Sequence, residues 1–144
     1  MPAVKPIAAI VCDDIRHEKS NKEILIGVYS NELIIHKKPA RLRLSVFVLV
    51  DVLEIGETEF EIRLDGPDGP SENAIRGVLE GAHNTSPRHR IGLPFKSFVI
   101  TLASEGDLLV RFREPGKRWR TIAVLPVLIA KDAISVSTET QQPS

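Results

Sequence analysis

Residues 41–52, RLRLSVFVLVDV, carry an aliphatic side chain at every even position: Leu42, Leu44, Val46, Val48, Val50 and Val52. A period of two places that series on one face of a β-strand. Valine is stiff at its first side-chain torsion and fits a pleated surface better than a helix. A strand with one wholly aliphatic face must bury it against a second layer. The rest of the chain therefore has to supply that layer.

Residues 57–64 alternate as cleanly, with Thr58, Phe60, Ile62 and Leu64 on one side and Glu57, Glu59, Glu61 and Arg63 on the other. Pairing Val52 with Thr58, Val50 with Phe60 and Val48 with Ile62 sets apolar against apolar, whereas a one-residue slip would bury the glutamates. This predicts a hairpin turning at residues 53–56. Upstream, residues 7–12 form an unbroken apolar run, read as a strand buried on both faces or one closing a sandwich. Residues 23–30, EILIGVYS, read as its hairpin partner, with residues 13–22 as a long polar connection. A short segment over residues 32–36 ends at Lys37, Lys38 and Pro39.

Downstream, DGPDGP at residues 65–70 is a turn. In residues 74–82, Ile75, Val78 and Leu79 have helical spacing, but Gly77 and Gly81 would each cost about 1 kcal/mol in a helix. A short strand is the better reading, followed by a surface loop at residues 83–90. Residues 91–103 change phase from Ile91, Leu93 and Phe95 to Phe98, Ile100 and Leu102. That change suggests a bulge or break near Lys96 and Ser97, or two separate strands, and Pro94 restricts the first half to an edge or a connection. Leu108, Val110 and Phe112 point inward, Pro115 and Gly116 turn the chain, and a return strand runs to Pro126 and on through residues 127–129. A two-residue loop would set Phe112 opposite Trp119, with Trp119 inside; a longer loop is the alternative, since type II turns are not the favoured two-residue hairpin turns.

The sum is seven to nine short strands and no helix. The expectation is all-β: an antiparallel β-sandwich, immunoglobulin-like, with a barrel as the alternative, in one domain over residues 1–130, with a flexible tail at residues 131–144.

Lys+Arg and Asp+Glu both number 19 among the 144 residues, so the formal net charge is zero. That balance argues against a dedicated nucleic-acid or anionic-membrane binder and favours self-association. The single cysteine, Cys12, allows neither an internal disulfide nor a multi-cysteine zinc site. The apolar run at residues 7–12 is too short for a signal-peptide core, and no run approaches the roughly 18 residues of a membrane span. A cytoplasmic protein without membrane association is expected.

Catalytic signatures are absent: there is no G-x-S-x-G, P-loop, H-E-x-x-H or G-x-G-x-x-G. The stretch richest in chemistry is VCDDIRHEK, where Cys12, Asp13, Asp14, His17 and Glu18 are metal-ligand types in no recognised spacing. A solvated loop is the primary reading, with Asp13, Asp14, Arg16 and His17 as candidate partner-binding residues and no metal or cofactor. Burial of Cys12 and its lack of a basic neighbour argue against a thiol nucleophile paired with His17. Asp65, Asp68 and Glu72 have calcium-like spacing but lack the longer alternating ligand series of an EF-hand. Three basic groups stand out: Lys37, Lys38, Arg41 and Arg43; Arg88, His89 and Arg90; and Lys117, Arg118 and Arg120. They read as solubilising charge that also protects strand edges.

The opening AAIVCDDIRHEKSNKEILIGVYSNELII resembles that of a small family of uncharacterised bacterial proteins, in which an apolar strand leads into C-D-D-I-R and then L-I-G-V-Y. The later G-D-L-x-V-R-F segment and its return strand to Pro126 and Val127 look similar too. The resemblance implies an all-β domain and no established activity, and it draws interest to Asp13, Asp14 and Arg16. Taken together, the expectation is a non-enzymatic module that binds a protein partner or assembles with itself. The alternatives are a metal- or ligand-dependent enzyme built on residues 13–18, and a nucleic-acid binder.

Overall fold

The structure, a computed structural model, describes residues 4–20, 22–53, 57–80 and 89–135, the side chains of Glu80 and His89 excepted. Its strands are β1 (Val4–His17), β2 (Glu23–Val28), β3 (Leu33–Lys38), β4 (Ala40–Val52), β5 (Glu57–Gly66), β6 (Gly69–Pro70), β7 (Ile75–Glu80), β8 (His89–Leu102), β9 (Gly106–Arg113) and β10 (Arg120–Ser135). The described residues are thus all-β, in ten strands rather than seven to nine; one of them, β6, is a two-residue strand. Two sheets form, one in the order β2-β1-β4-β8 and the other β3-β10-β9-β5, with β6 and β7 both on β5. They do not close into a barrel.

The organising strand β4 lies between β1 and β8, with Val48 opposite Ala9 on one side and Leu93 on the other. Both of its edges are therefore filled, and the hairpin expected between β4 and β5 does not form. β5 belongs to the opposite sheet, where it pairs with β7 and β9. Period-two alternation fixes which face is buried, not which strand is the neighbour. Val46, Val48 and Val50 meet Phe60, Ile62 and Leu64 across one shared core rather than across a ladder. Phe60 is central: its ring stands edge-on to Phe95 of the first sheet, with centroids 5.7 Å apart, and stacks at 5.8 Å on Phe112 of its own.

The bulge foreseen in β8 is present. The register to β4 slips between the Leu44–Phe98 and Val46–Phe95 pairs, and Ser97 takes a φ of 67°. The slip lets both phases of the strand face the core. The outer edge of β8 is covered by residues 68–73. Glu72 N–H donates to the Val99 carbonyl, Asn73 bonds both Val99 N–H and the Ser97 carbonyl, and Asp68 accepts from the N–H groups of Ala103 and Ser104. Side chains here replace the missing ladder and blunt a long edge. The glycine-bearing segment after this cover is indeed a strand, β7.

β9 and β10 form the expected hairpin in a different register. Phe112 faces Arg120, Val110 faces Ala123, and the ladder shifts between Thr121 and Ala123. The longer loop sends Trp119 to the outer face instead of the core. β3 runs parallel to β10, with Leu33 beside Val127, so the second sheet is mixed rather than purely antiparallel. Lys131 to Ser135, expected in the tail, continue β10. The rest of the tail, residues 136–144, lies outside the described residues, as do residues 83–88 of the expected surface loop and residues 54–56 of the expected turn.

Candidate functional site

The feature that sets this molecule apart is an open flank. The chain leaves β2 after Val28, crosses between the sheets through residues 29–32 and enters β3 at Leu33. On one side of that crossover, β2 covers β1 from Cys12 onward and β3 covers β10 from Val127 onward. On the other side, residues 5–10 of β1 and 120–126 of β10 have a ladder partner on one edge only, among the described residues. These two bare edges run side by side in the same direction. Among the described residues, each presents backbone donors and acceptors without a ladder partner, a template for another strand.

Two grooves lie between the edges. One, of about 280 Å³, is lined by Ala9, Val11, Tyr29, Ala123 and Leu125 among others. The next, of about 310 Å³, is lined by Lys5, Pro6, Ile7, Arg120, Thr121 and Ile122. Ala9 and Ala123 pack against the core with small side chains, which leaves the space. The rims are apolar: Ile7, Ile10, Val28 and Val124 are 40%, 37%, 46% and 55% exposed. Nine of the eleven exposed large aliphatic side chains among the described residues belong to β1, β2, β3 and β10. Exposed apolar surface gathered around bare strand edges marks an interaction surface. The only charged residues lining either groove are Lys5 and Arg120, both basic.

The crossover is held by the sequence-flagged acidic pair, in part. Residues 13–17 belong to β1, not to a loop, so neighbours point to opposite faces. Asp13 accepts the Tyr29 hydroxyl at 2.5 Å and so anchors the wall of the first groove. Burial, the hydrogen bond to Asp13 and its charge together push the Tyr29 phenol up to about 12. Gly27, at a φ of 67°, makes room, since a Cβ there would collide with the Asp13 carboxylate. Asp14 accepts from its neighbour Ile15 N–H and lies near Arg16 and Lys96. Arg16 and His17 are exposed, and His17 Nδ1 is 2.8 Å from Glu23 Oε1. Cys12 is fully buried, and burial followed by the charges of Asp13 and Asp14 raises its thiol pKa, which disfavours thiolate.

Among the described residues, no three His, Cys, Asp or Glu side chains converge as metal ligands. Asp65, Asp68 and Glu72 go separate ways, to Arg63 and Arg111, to the N–H groups after β8, and to Arg41. The basic residues are likewise dispersed: Arg41 pairs with Glu72, Arg90 with Asp51 and Lys117 with Glu114, while Arg88 lies outside the described residues. On the outer face of the second sheet, Trp119 takes the guanidinium carbons of Arg63 and Arg113 at 4.4 and 4.3 Å from its ring centre. Beside it Asp65 is shared by Arg63 and Arg111, and Glu61 by Arg76 and Arg113, so the four guanidiniums are held by two carboxylates.

Of the residues that shape the flank, Tyr29 closes the L-I-G-V-Y stretch and Arg120 belongs to a basic group, but Ile10 and Val124 are singled out by no motif. One signal was present: the run at residues 7–12 is apolar at both parities. It reads as a strand buried on both faces, but Ile7 and Ile10 face solvent at an edge instead. No helix among the described residues is long and apolar enough to cross a membrane. No family model matches the chain, and a search of curated proteins returns no match.

Proposed function

We propose that the protein is a non-enzymatic, immunoglobulin-like β-sandwich module that binds a protein partner by strand addition at the open flank. The observation that carries this reading is the pair of bare edges, on β1 and β10, rimmed by exposed Ile7, Ile10, Val28 and Val124. Main-chain hydrogen bonds to an exposed edge give affinity in this mode, and alternate side chains entering adjoining grooves give selectivity. Asp13 and Tyr29 act as the support that holds the groove wall. The resemblance of the opening to small uncharacterised bacterial all-β proteins belongs to the same proposal and brings no catalytic residue with it. The compartment proposed is the cytoplasm, in keeping with a single, buried cysteine.

The test is affinity capture from the native host with the tagged wild-type chain and with an Ile10→Lys, Val124→Lys double variant. Lysine on an edge opposes strand pairing, and both positions are solvent-facing, so folding is retained and is checked by circular dichroism. A stoichiometric partner captured by wild type and lost in the variant supports the reading. Equal capture by both chains removes the flank from consideration.

A further inference from the structure

We infer that the flank accepts an extended peptide segment, apolar at alternate positions, that ends in one or more carboxylates lying against Lys5 and Arg120 and adds to the second sheet along β10. This rests on the strand-addition reading above and deepens it by naming the partner's chemistry.

Three observations carry it. First, the two edges are unequal as templates. On β1, Pro6 has no N–H to offer and the ladder to β4 slips between Pro6 and Ala8, so that edge is interrupted. On β10, residues 120–125 contain no proline, and the first one comes at Pro126. A segment docking there lies in line with β3, which already covers the same edge of β10 from Val127 onward. Second, the docked strand would meet apolar surface on both faces. Its inward side chains enter the grooves beside Ala9, Ile122 and Ala123, and its outward ones lie beside exposed Val124. An alternating apolar segment matches that environment, whereas a uniformly polar one would desolvate groups without partners. Third, the charge is one-sided. Lys5 and Arg120 are the charged lining residues, both stand at the same end, and neither forms an ion pair among the described residues; Asp51, opposite Lys5 in the ladder, is held by Arg90. The neighbouring loop adds Arg118, exposed and also without an ion pair there. A carboxylate at that end of the segment supplies the complement. A second copy of this chain, docking through the same flank, would bring only its own basic pair.

The experiment is selection from a display library of random linear peptides on the wild-type chain and on a Lys5→Glu, Arg120→Glu variant. Both side chains are exposed, and thermal unfolding verifies that the variant is folded. Wild type is expected to enrich segments with alternating apolar residues and Asp or Glu at one end. The variant is expected to enrich Lys or Arg there instead. A synthetic acid-ended peptide should bind wild type about fivefold more tightly than its lysine-ended counterpart at low salt, as one exposed ion pair allows, and the difference should shrink as salt rises. Identical selections by the two chains would overturn the inference while leaving the flank as a docking site. No enrichment, with a flank-sensitive partner still captured as above, would overturn it too and point to a folded rather than extended partner. A Val124-dependent dimer in sedimentation, without peptide enrichment, would assign the flank to a second copy. Enrichment that persists in the Ile10→Lys, Val124→Lys variant would move binding off the flank and overturn both readings together.

Discussion

Asp13 shows how far residue type alone reaches. The acidic pair stands out by chemistry in the sequence, but Tyr29, its partner, lies sixteen residues on and becomes a neighbour only because β2 folds back on β1. The adjacent Asp14 points the other way and serves a different set of contacts. The chain has one tyrosine, so the phenolate absorbance reports this contact alone. Wild type should titrate at about 12, and Asp13→Asn should bring the midpoint down toward the ordinary value near 10 without reaching it, because burial persists. The native phenol holds its proton more tightly than the unfolded one. The associated stability is thus complete below about pH 10 and is lost as pH rises through about 12. An unchanged midpoint in Asp13→Asn would show that the hydrogen bond does not govern Tyr29. Gly27→Ala should destabilise by about 1–3 kcal/mol, the range for an L-residue held in a sparsely populated backbone region. It should also lower the Tyr29 midpoint, since its Cβ displaces the Asp13 carboxylate.

At the scale of strands, alternation was legible and neighbourhood was not. The inward series of β4, β5 and β9 and the β8 bulge could be read directly, because burial imposes a period of two and a bulge interrupts it. The partner of β4 could not, because β5 and β8 offer it equally apolar faces; only closing both sheets decides between them. The same limit hid the open flank, defined by two edges that lack a second ladder partner among the described residues. The covered edge of β8 makes the contrast measurable. Asp68 caps that edge, and the Ala103 N–H and the Ser104 hydroxyl and N–H hold its carboxyl below the usual carboxylate range. Asp68→Ala should cost about 1–2 kcal/mol in urea unfolding at neutral pH, as expected for lost charge-assisted hydrogen bonds to exposed groups. The sign with pH follows from the depressed native value: the contribution is present above the ordinary carboxyl value near 4 and is lost as pH falls through the native one. The gap between wild type and Asp68→Ala should therefore narrow in acid. A constant gap would mean the loss is one of packing. The variant should also self-associate more than wild type, since it bares a second edge.

For the whole molecule, the question is whether two sheets that exchange no ladder hydrogen bonds behave as one cooperative unit. The core says they do, and Phe60 is where the claim is most exposed. Its ring joins Phe95 of one sheet to Phe112 of the other, and it lies against Gly77 on β7, where a Cβ would overlap the ring. In the sequence, Gly77 is only a residue that disfavours a helix; in the fold it is the space that lets the central aromatic lie flat against its own sheet. Two substitutions of opposite kind should then act on the same contact. Phe60→Ala empties the centre and should cost about 3–5 kcal/mol, a large share of the roughly 5–15 kcal/mol that holds a domain of this kind together. Gly77→Ala overfills it and should cost about 1–3 kcal/mol. Because both act through one ring, the effects should not add. In the double variant the space left by Phe60 admits the new methyl, so its loss should be smaller than the sum of the single losses. Equilibrium unfolding followed by far-ultraviolet circular dichroism and by Trp119 fluorescence checks this. The two probes should trace one transition in every variant, Trp119 reporting the second sheet and the dichroism both. Two separated transitions would mean the sheets melt independently. The open flank would then belong to a hinge between them rather than to a fixed docking edge.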